Sequence, residues 1–81
     1  MEQKVIINNF QDVKQVVACA AKLPEDVDIR DCNGSVADAK SILGMMSLNY
    51  NNPVSIIAEN EFAVKMVATA LERSKVLRQE K

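Results

Sequence analysis

The period of apolar and polar positions changes several times along the chain, and each change marks an element. Residues 4–8, Lys-Val-Ile-Ile-Asn, are a short β-branched run that reads as a first strand. From Asn8 to Asp12 the chain is polar except for Phe10, and Asn8 or Asn9 can cap a following helix. Val13, Val16, Val17, Ala20 and Leu23 then recur at three- and four-residue spacing, which is one face of a helix. Pro24 stops that helix. Residues 26–32 alternate, with Val27 and Ile29 on one side and Asp28 and Arg30 on the other, as in a half-buried strand. Asn33-Gly34 is a strong hairpin signal, because both residues tolerate positive φ in a tight turn. Ser35 to Ala39 is the returning strand, paired antiparallel with the one before it.

The segment Ser41-Ile42-Leu43-Gly44-Met45-Met46-Ser47-Leu48 fits a helix of about two turns. Gly44 in its middle costs roughly 1 kcal/mol relative to alanine. Residues 49–53, Asn-Tyr-Asn-Asn-Pro, are a loop by composition. Val54 to Ala58 is a fourth strand. Asn60 starts the last helix, with Val64, Val67, Ala68 and Leu71 as its inward stripe, ending near Leu77 and fraying through Gln79-Glu80-Lys81. The order is strand, helix, strand, strand, short helix, strand, helix. It predicts an α+β domain with one four-stranded antiparallel sheet covered on one face by helices.

Composition narrows the chemistry. The 81 residues bound a single domain, 1–81, of modest stability. A formal charge of −1 gives no basic field for nucleic acid, and three aromatic side chains make no base-stacking platform. No apolar run approaches the roughly 20 residues that span a bilayer, and the layout of a secretory signal is missing. Two cysteines, Cys19 and Cys32, make no disulfide framework. They read as free thiols of a cytoplasmic protein, both in bland core roles. Histidine is absent, so imidazole serves nowhere as base, ligand or phosphoryl acceptor. No glycine-rich phosphate loop or metal-ligand spacing occurs. The expectation is a protein without cofactor, metal or catalytic residues, and so not an enzyme.

The segment from Asn33-Gly34 through Lys40-Ser41-Ile42-Leu43-Gly44-Met45-Met46-Ser47-Leu48 closely resembles the central motif of HPr, the small phosphocarrier of the bacterial sugar phosphotransferase system. That pattern is an Asn-Gly turn followed by Lys-Ser-Ile-hydrophobe-Gly-hydrophobe-Met-Ser-Leu. The similarity runs from about Lys4 to Glu72. It implies an HPr-like open-faced β-sandwich of βαββαβα order. It also implies phosphoryl transfer from Enzyme I to Enzyme II A domains through a histidine at the start of the first helix. In many Gram-positive members the serine beginning the second helix is a regulatory phosphorylation site, and its phosphorylated form supports binding to the catabolite control repressor.

Before the first helix the family has Gly-Leu-His-Ala-Arg-Pro-Ala. Here the histidine position falls on Asn9, the arginine on Gln11, the proline on Asp12 and the next alanine on Val13. The resemblance therefore implies the fold and the serine site but not the histidine chemistry. Asp12 reads as a carboxylate stabilising the first turn through the helix dipole, against the alternative of an acyl-phosphate site. Ser41 reads as a helix cap and, by the resemblance, as a regulatory phosphorylation site with Lys40 available to the phosphate. Of the apolar residues around it, Ile42, Met45 and Leu48 are expected to dock a partner, and Gly44 is explained either by close packing or by that partner's close approach. Expected partners are proteins, namely an HPr kinase and a regulator or metabolic enzyme, with no nucleic acid and no membrane. The alternatives are a degenerate phosphocarrier relic and an unmodified interaction domain unrelated to sugar transport.

Overall fold

The structure, a computed structural model, describes residues 1–79. The order is β1 (Glu2–Val5), α1 (Phe10–Ala21), β2 (Val27–Arg30), β3 (Val36–Asp38), α2 (Ile42–Met45), β4 (Val54–Ala58) and α3 (Glu61–Gln79). The four strands form one sheet in the order β1-β4-β2-β3, and every neighbouring pair is antiparallel. This is the predicted βαββαβα α+β architecture. The expected fraying at Glu80 and Lys81 lies outside the described residues.

The core follows from the pleat. Val27, Ile29, Ala37, Val54, Ile56 and Ala58 are buried on the sheet, and Val13, Val16, Ala20, Val64, Val67 and Leu71 are buried on α1 and α3. Fully burying each valine, isoleucine or leucine among them contributes about 1.5–3 kcal/mol, and each alanine less. The alternate positions carry Glu2, Lys4, Asp28, Arg30 and Asp38 on the other face, together with the apolar Val36 and Ile57. Arg30 reaches Glu2 across β4 at 2.9 Å, but both side chains are about half exposed, so this pair adds little. β4 pairs on both edges and is the most buried strand, with only Ser55 polar in its sequence.

The first strand lies earlier than the expected residues 4–8. The β1 ladder with β4 ends at Val5 opposite Val54. Pro53, just before Val54, has no N–H with which to extend it. Beyond that point Ile6 is exposed and Ile7 turns into the core. The second helix is a single turn rather than about two. Met46 is its C-cap, and the chain continues through turns to Leu48. The Asn-Gly hairpin holds a three-residue loop with positive φ at Gly34 alone (86°). Asp31 O accepts from Gly34 N at 3.0 Å, and Ser35 O accepts from Asp31 N at 2.9 Å, the turn-plus-bulge form of such loops.

Two lysines close the irregular segments that place α1. Lys75 Nζ donates to Ile6 O at 2.7 Å, and Lys40 Nζ donates to Leu23 O at 2.9 Å. Asn60 caps α3 by accepting from Ala63 N, while its amide donates to Glu25 at 2.9 Å. Glu25 is thereby held below the usual carboxylate range, chiefly by the Asn60 hydrogen bond.

Ile56 lies fully buried on the central strand. Ile56→Ala should lower the unfolding free energy by about 2–5 kcal/mol through lost transfer energy and a residual cavity. Chemical denaturation should show a lower midpoint at an unchanged slope.

Candidate functional site

The N-terminus of α1 is built by a reciprocal pair. Asn9 is extended (φ −160°, ψ 177°), and its side-chain Oδ1 accepts from Asp12 N at 3.0 Å. Asp12 in turn accepts from Asn8 N at 3.0 Å and is fully buried. This is a near relative of the capping box, with the N3 carboxylate reaching one residue further back. Asn9 is thus a helix cap whose side-chain oxygen is already engaged. Phe10, first in the helix, stands half exposed, with Lys14 Nζ 5.7 Å from its ring centroid.

Ser41 caps α2. Its Oγ accepts from Gly44 N at 3.1 Å, and Ser47 Oγ donates to Gly44 O at 2.7 Å. A Cβ on Gly44 would come to 3.2 Å from Ser41 Oγ and 3.5 Å from the Ala37 Cβ. Of the two explanations for the glycine, close packing has a named neighbour, because a Cβ here would crowd the Ser41 hydroxyl, while its contact with Ala37 is ordinary. The ammonium of Lys40 donates to the Leu23 carbonyl.

The three residues expected to dock a partner part company. Met45 is fully buried, Leu48 is 7% exposed, and both belong to the core. A one-turn helix lying against β3 points them inward, so neither can dock anything. Ile42 is half-buried against the same core. The exposed apolar residues here are Leu43 (81%) and Met46 (56%).

Met46 lies beside the start of α1. With Ile7, Asn8, Asn9, Phe10, Val13 and Tyr50 it lines an open groove of about 240 Å³. The structure thus brings Asn9, Phe10 and Met46 together, while Ser41 lies outside this groove. Tyr50 is set by a hydrogen bond from its hydroxyl to Met45 O. Burial, and then the Asp31 carboxylate, raise the Tyr50 phenol to about 12, so it remains a protonated donor.

Asp31 holds the loop that carries Tyr50. It is 6% exposed, and its carboxylate accepts from Asn33 N at 3.0 Å, Ser35 N at 2.9 Å and Asn49 N at 2.9 Å. These bonds, Asn49 foremost, hold the carboxyl below its ordinary range even though desolvation opposes them. Sequence reasoning missed Asp31 and the exposed Phe10. The Asp placed two residues before Asn-Gly was a usable signal for a side chain bonding to turn amides.

The cysteines also separate. Cys19 is half-buried, its thiol donates to Met66 O at 3.5 Å, and burial raises it against the smaller opposing effect of Lys22. Cys32 is exposed in the hairpin and not in the core, because the turn carries it off the pleat.

The family model described as "PTS HPr component phosphorylation site" matches residues 2–73. Among curated proteins no relative matches. Among solved structures the chain is similar to HPr-C-His from Thermoanaerobacter tengcongensis, at 26% identity and a TM-score of 0.74, over 91% of this chain and 93% of that one. It is also similar to the catabolite repression containing protein Crh of Bacillus subtilis, described as a domain-swapped dimer. That likeness has 27% identity and a TM-score of 0.64, over 88% of this chain and 92% of that one. The histidine-containing phosphocarrier protein of a Mycoplasma shares the fold at 16% identity and a TM-score of 0.67, over 94% and 92% of the two chains.

Asp31 makes acid stability testable. Its folded-state pKa is depressed below the ordinary 3.8, so its contribution is fully present above that value and is lost as pH falls through the lower, folded value. Asp31→Asn should lower the melting temperature at neutral pH and flatten the fall in stability below about pH 4. Thermal melts of both proteins across the acid range provide the check.

Proposed function

The chain belongs to the HPr family of the phosphotransferase system, and on that premise we propose that it is a regulatory or adaptor member that binds a protein partner and carries no phosphoryl group on histidine. HPr-family proteins are phosphocarriers rather than enzymes, and they act through other proteins in sugar transport or carbon regulation. The observation that carries the finer reading is the state of the α1 N-terminus. Histidine is absent from the whole sequence, and Asn9 stands at the matching position with its side chain spent on the cap. The amide is no nucleophile at neutral pH, and no arginine stands beside it at Gln11. Asp12 lies fully buried beneath the cap, which argues against its use as an acyl-phosphate acceptor.

The apolar surface around this point remains. Phe10, Leu43 and Met46 are exposed, and Ile42 is half-buried beside them. Exposed methionine and aromatic side chains of this kind suit adaptable protein contacts. We assign docking to these four in place of Met45 and Leu48. The second element is regulation at Ser41. An HPr kinase would place a phosphoryl group on its Oγ, where phosphate oxygens can take over the hydrogen bond from Gly44 N. Lys40 can join only by releasing the Leu23 carbonyl. The phosphorylated form would bind a regulator or a metabolic enzyme more tightly than the unmodified one.

Two experiments separate this reading from its alternatives. Incubation with labelled phosphoenolpyruvate and Enzyme I should leave the protein unlabelled. Asn9→His alone should restore little transfer, because Asp12 and the missing arginine still oppose the phosphate. Stable label on Asp12 would revive the phosphocarrier reading.

Incubation with HPr kinase and ATP should add a phosphoryl group to the unaltered protein and none to Ser41→Ala, as read by mass spectrometry. The variant should also lose about 1 kcal/mol of stability with its cap. Absence of phosphate on the unaltered protein would leave an unmodified interaction domain that uses Phe10, Ile42, Leu43 and Met46.

A further inference from the structure

The outer seam between α1 and α3 carries a groove that the proposed function does not use. We propose that this groove docks an acidic amphipathic helix of a partner protein, at a surface separate from the one around Asn9 and Met46. The groove holds about 270 Å³, and none of its lining residues lines the groove at the start of α1. Ala18 and Cys19 of α1 face Met66 and Ala70 of α3 across it. Cys19 is half-buried there, its thiol donating to Met66 O at 3.5 Å.

The charges at the two ends choose the occupant. The helices run antiparallel, because Lys75 late in α3 reaches Ile6 before α1, whereas Cys19 late in α1 meets Met66. Lys22 and Arg73 therefore stand at opposite ends of the groove, about two to three turns apart in backbone rise. Helical side chains lean toward their own N-terminus, so both cations lean toward the middle. No carboxylate lines the groove. Among the described residues neither Lys22 nor Arg73 has an ion pair or a hydrogen bond, whereas Arg30 and Lys65 elsewhere are paired with Glu2 and Glu61. The seam thus presents two unanswered positive charges with uncharged surface between them.

The apolar surface there calls for something larger than a small anion. Met66 is 40% exposed, and Phe62, one turn earlier on the same face, is 63% exposed. A small anion bound between the cations would leave both in water, while a helix laid along the seam covers them. Such a helix carries acids at i and i+7, two turns apart, with apolar side chains at i+3 and i+4 over Ala18 and Ala70. The helices of this chain do not supply that pattern. In α1 the only carboxylate is the buried Asp12, and in α3 Glu61 and Glu72 lie eleven residues apart. The occupant is therefore a segment of a different protein and not a second copy.

The test uses the full chain and a synthetic helical peptide with glutamates seven residues apart around leucine and alanine. Fluorescence anisotropy should show saturable binding that weakens as salt rises, because exposed pairs are screened. A scrambled peptide of the same composition should bind several-fold more weakly. The Lys22→Glu, Arg73→Glu double variant, its fold confirmed by circular dichroism, should lose at least about tenfold, since like charges brought together are penalised. A peptide with lysines in place of the glutamates should prefer that double variant to the unaltered protein. In a Cys32→Ser background the first peptide should slow alkylation of Cys19 several-fold. Absence of binding, equal binding of the scrambled peptide, or unprotected Cys19 at saturation would overturn the proposal. Tighter binding to phosphatidylglycerol vesicles would give the groove to a membrane. A dimer in sedimentation that the double variant abolishes would give it to a second copy. Either result overturns its assignment to a partner helix.

Discussion

A carboxylate that has lost most of its water must recover its hydrogen bonds from the protein, and Asp31 recovers them from backbone amides in two separate loops. Its bonds to Asn33 and Ser35 shape the hairpin, and its bond to Asn49 draws in the chain that follows the short helix. One side chain thus fixes the end of β2, the start of β3 and the approach to Tyr50 and β4. Buried acceptors of this kind are costly to leave unpaired. The three segments are therefore tied to one carboxylate.

The same economy appears at the helix ends. Asn9 with Asp12, Ser41 with Gly44, and Asn60 with Ala63 each satisfy helix amides that have no intrahelical partner. Lys75 and Lys40 satisfy carbonyls in the irregular segments on either side of α1. In the family to which the chain belongs, the start of α1 carries phosphoryl chemistry. Here Asn9 and Asp12 at that point exchange hydrogen bonds with the backbone of residues 8 and 12. Beside that cap the apolar side chains of Phe10 and Met46 stay exposed.

How much was legible depended on whether local chemistry decided the outcome. The strand Val54–Ala58 was found at its observed bounds because its apolar run ends at Pro53 on one side and at acidic, polar residues on the other. The stripe Val64, Val67, Ala68 and Leu71 was legible for the same reason, since the 3.6-residue period is set by backbone geometry. The first strand was misplaced because Val5, Ile6 and Ile7 are equally β-branched. Only pairing with β4 distinguishes them.

Residue order alone determined the antiparallel α+β architecture, the capping of α1 near Asn9 and the absence of histidine chemistry. These follow from periodicity, from side-chain oxygens placed before a helical run, and from composition. The tertiary structure decided which of the apolar residues after Ser41 face outward. Met45 and Leu48 went to the core while Leu43 and Met46 stayed in water, because the helix is one turn long and lies against β3. It also decided the roles of Lys40 and Asp31. Each depends on atoms brought from elsewhere in the chain, namely the Leu23 carbonyl and the Asn49 amide, and such contacts leave no period in the sequence.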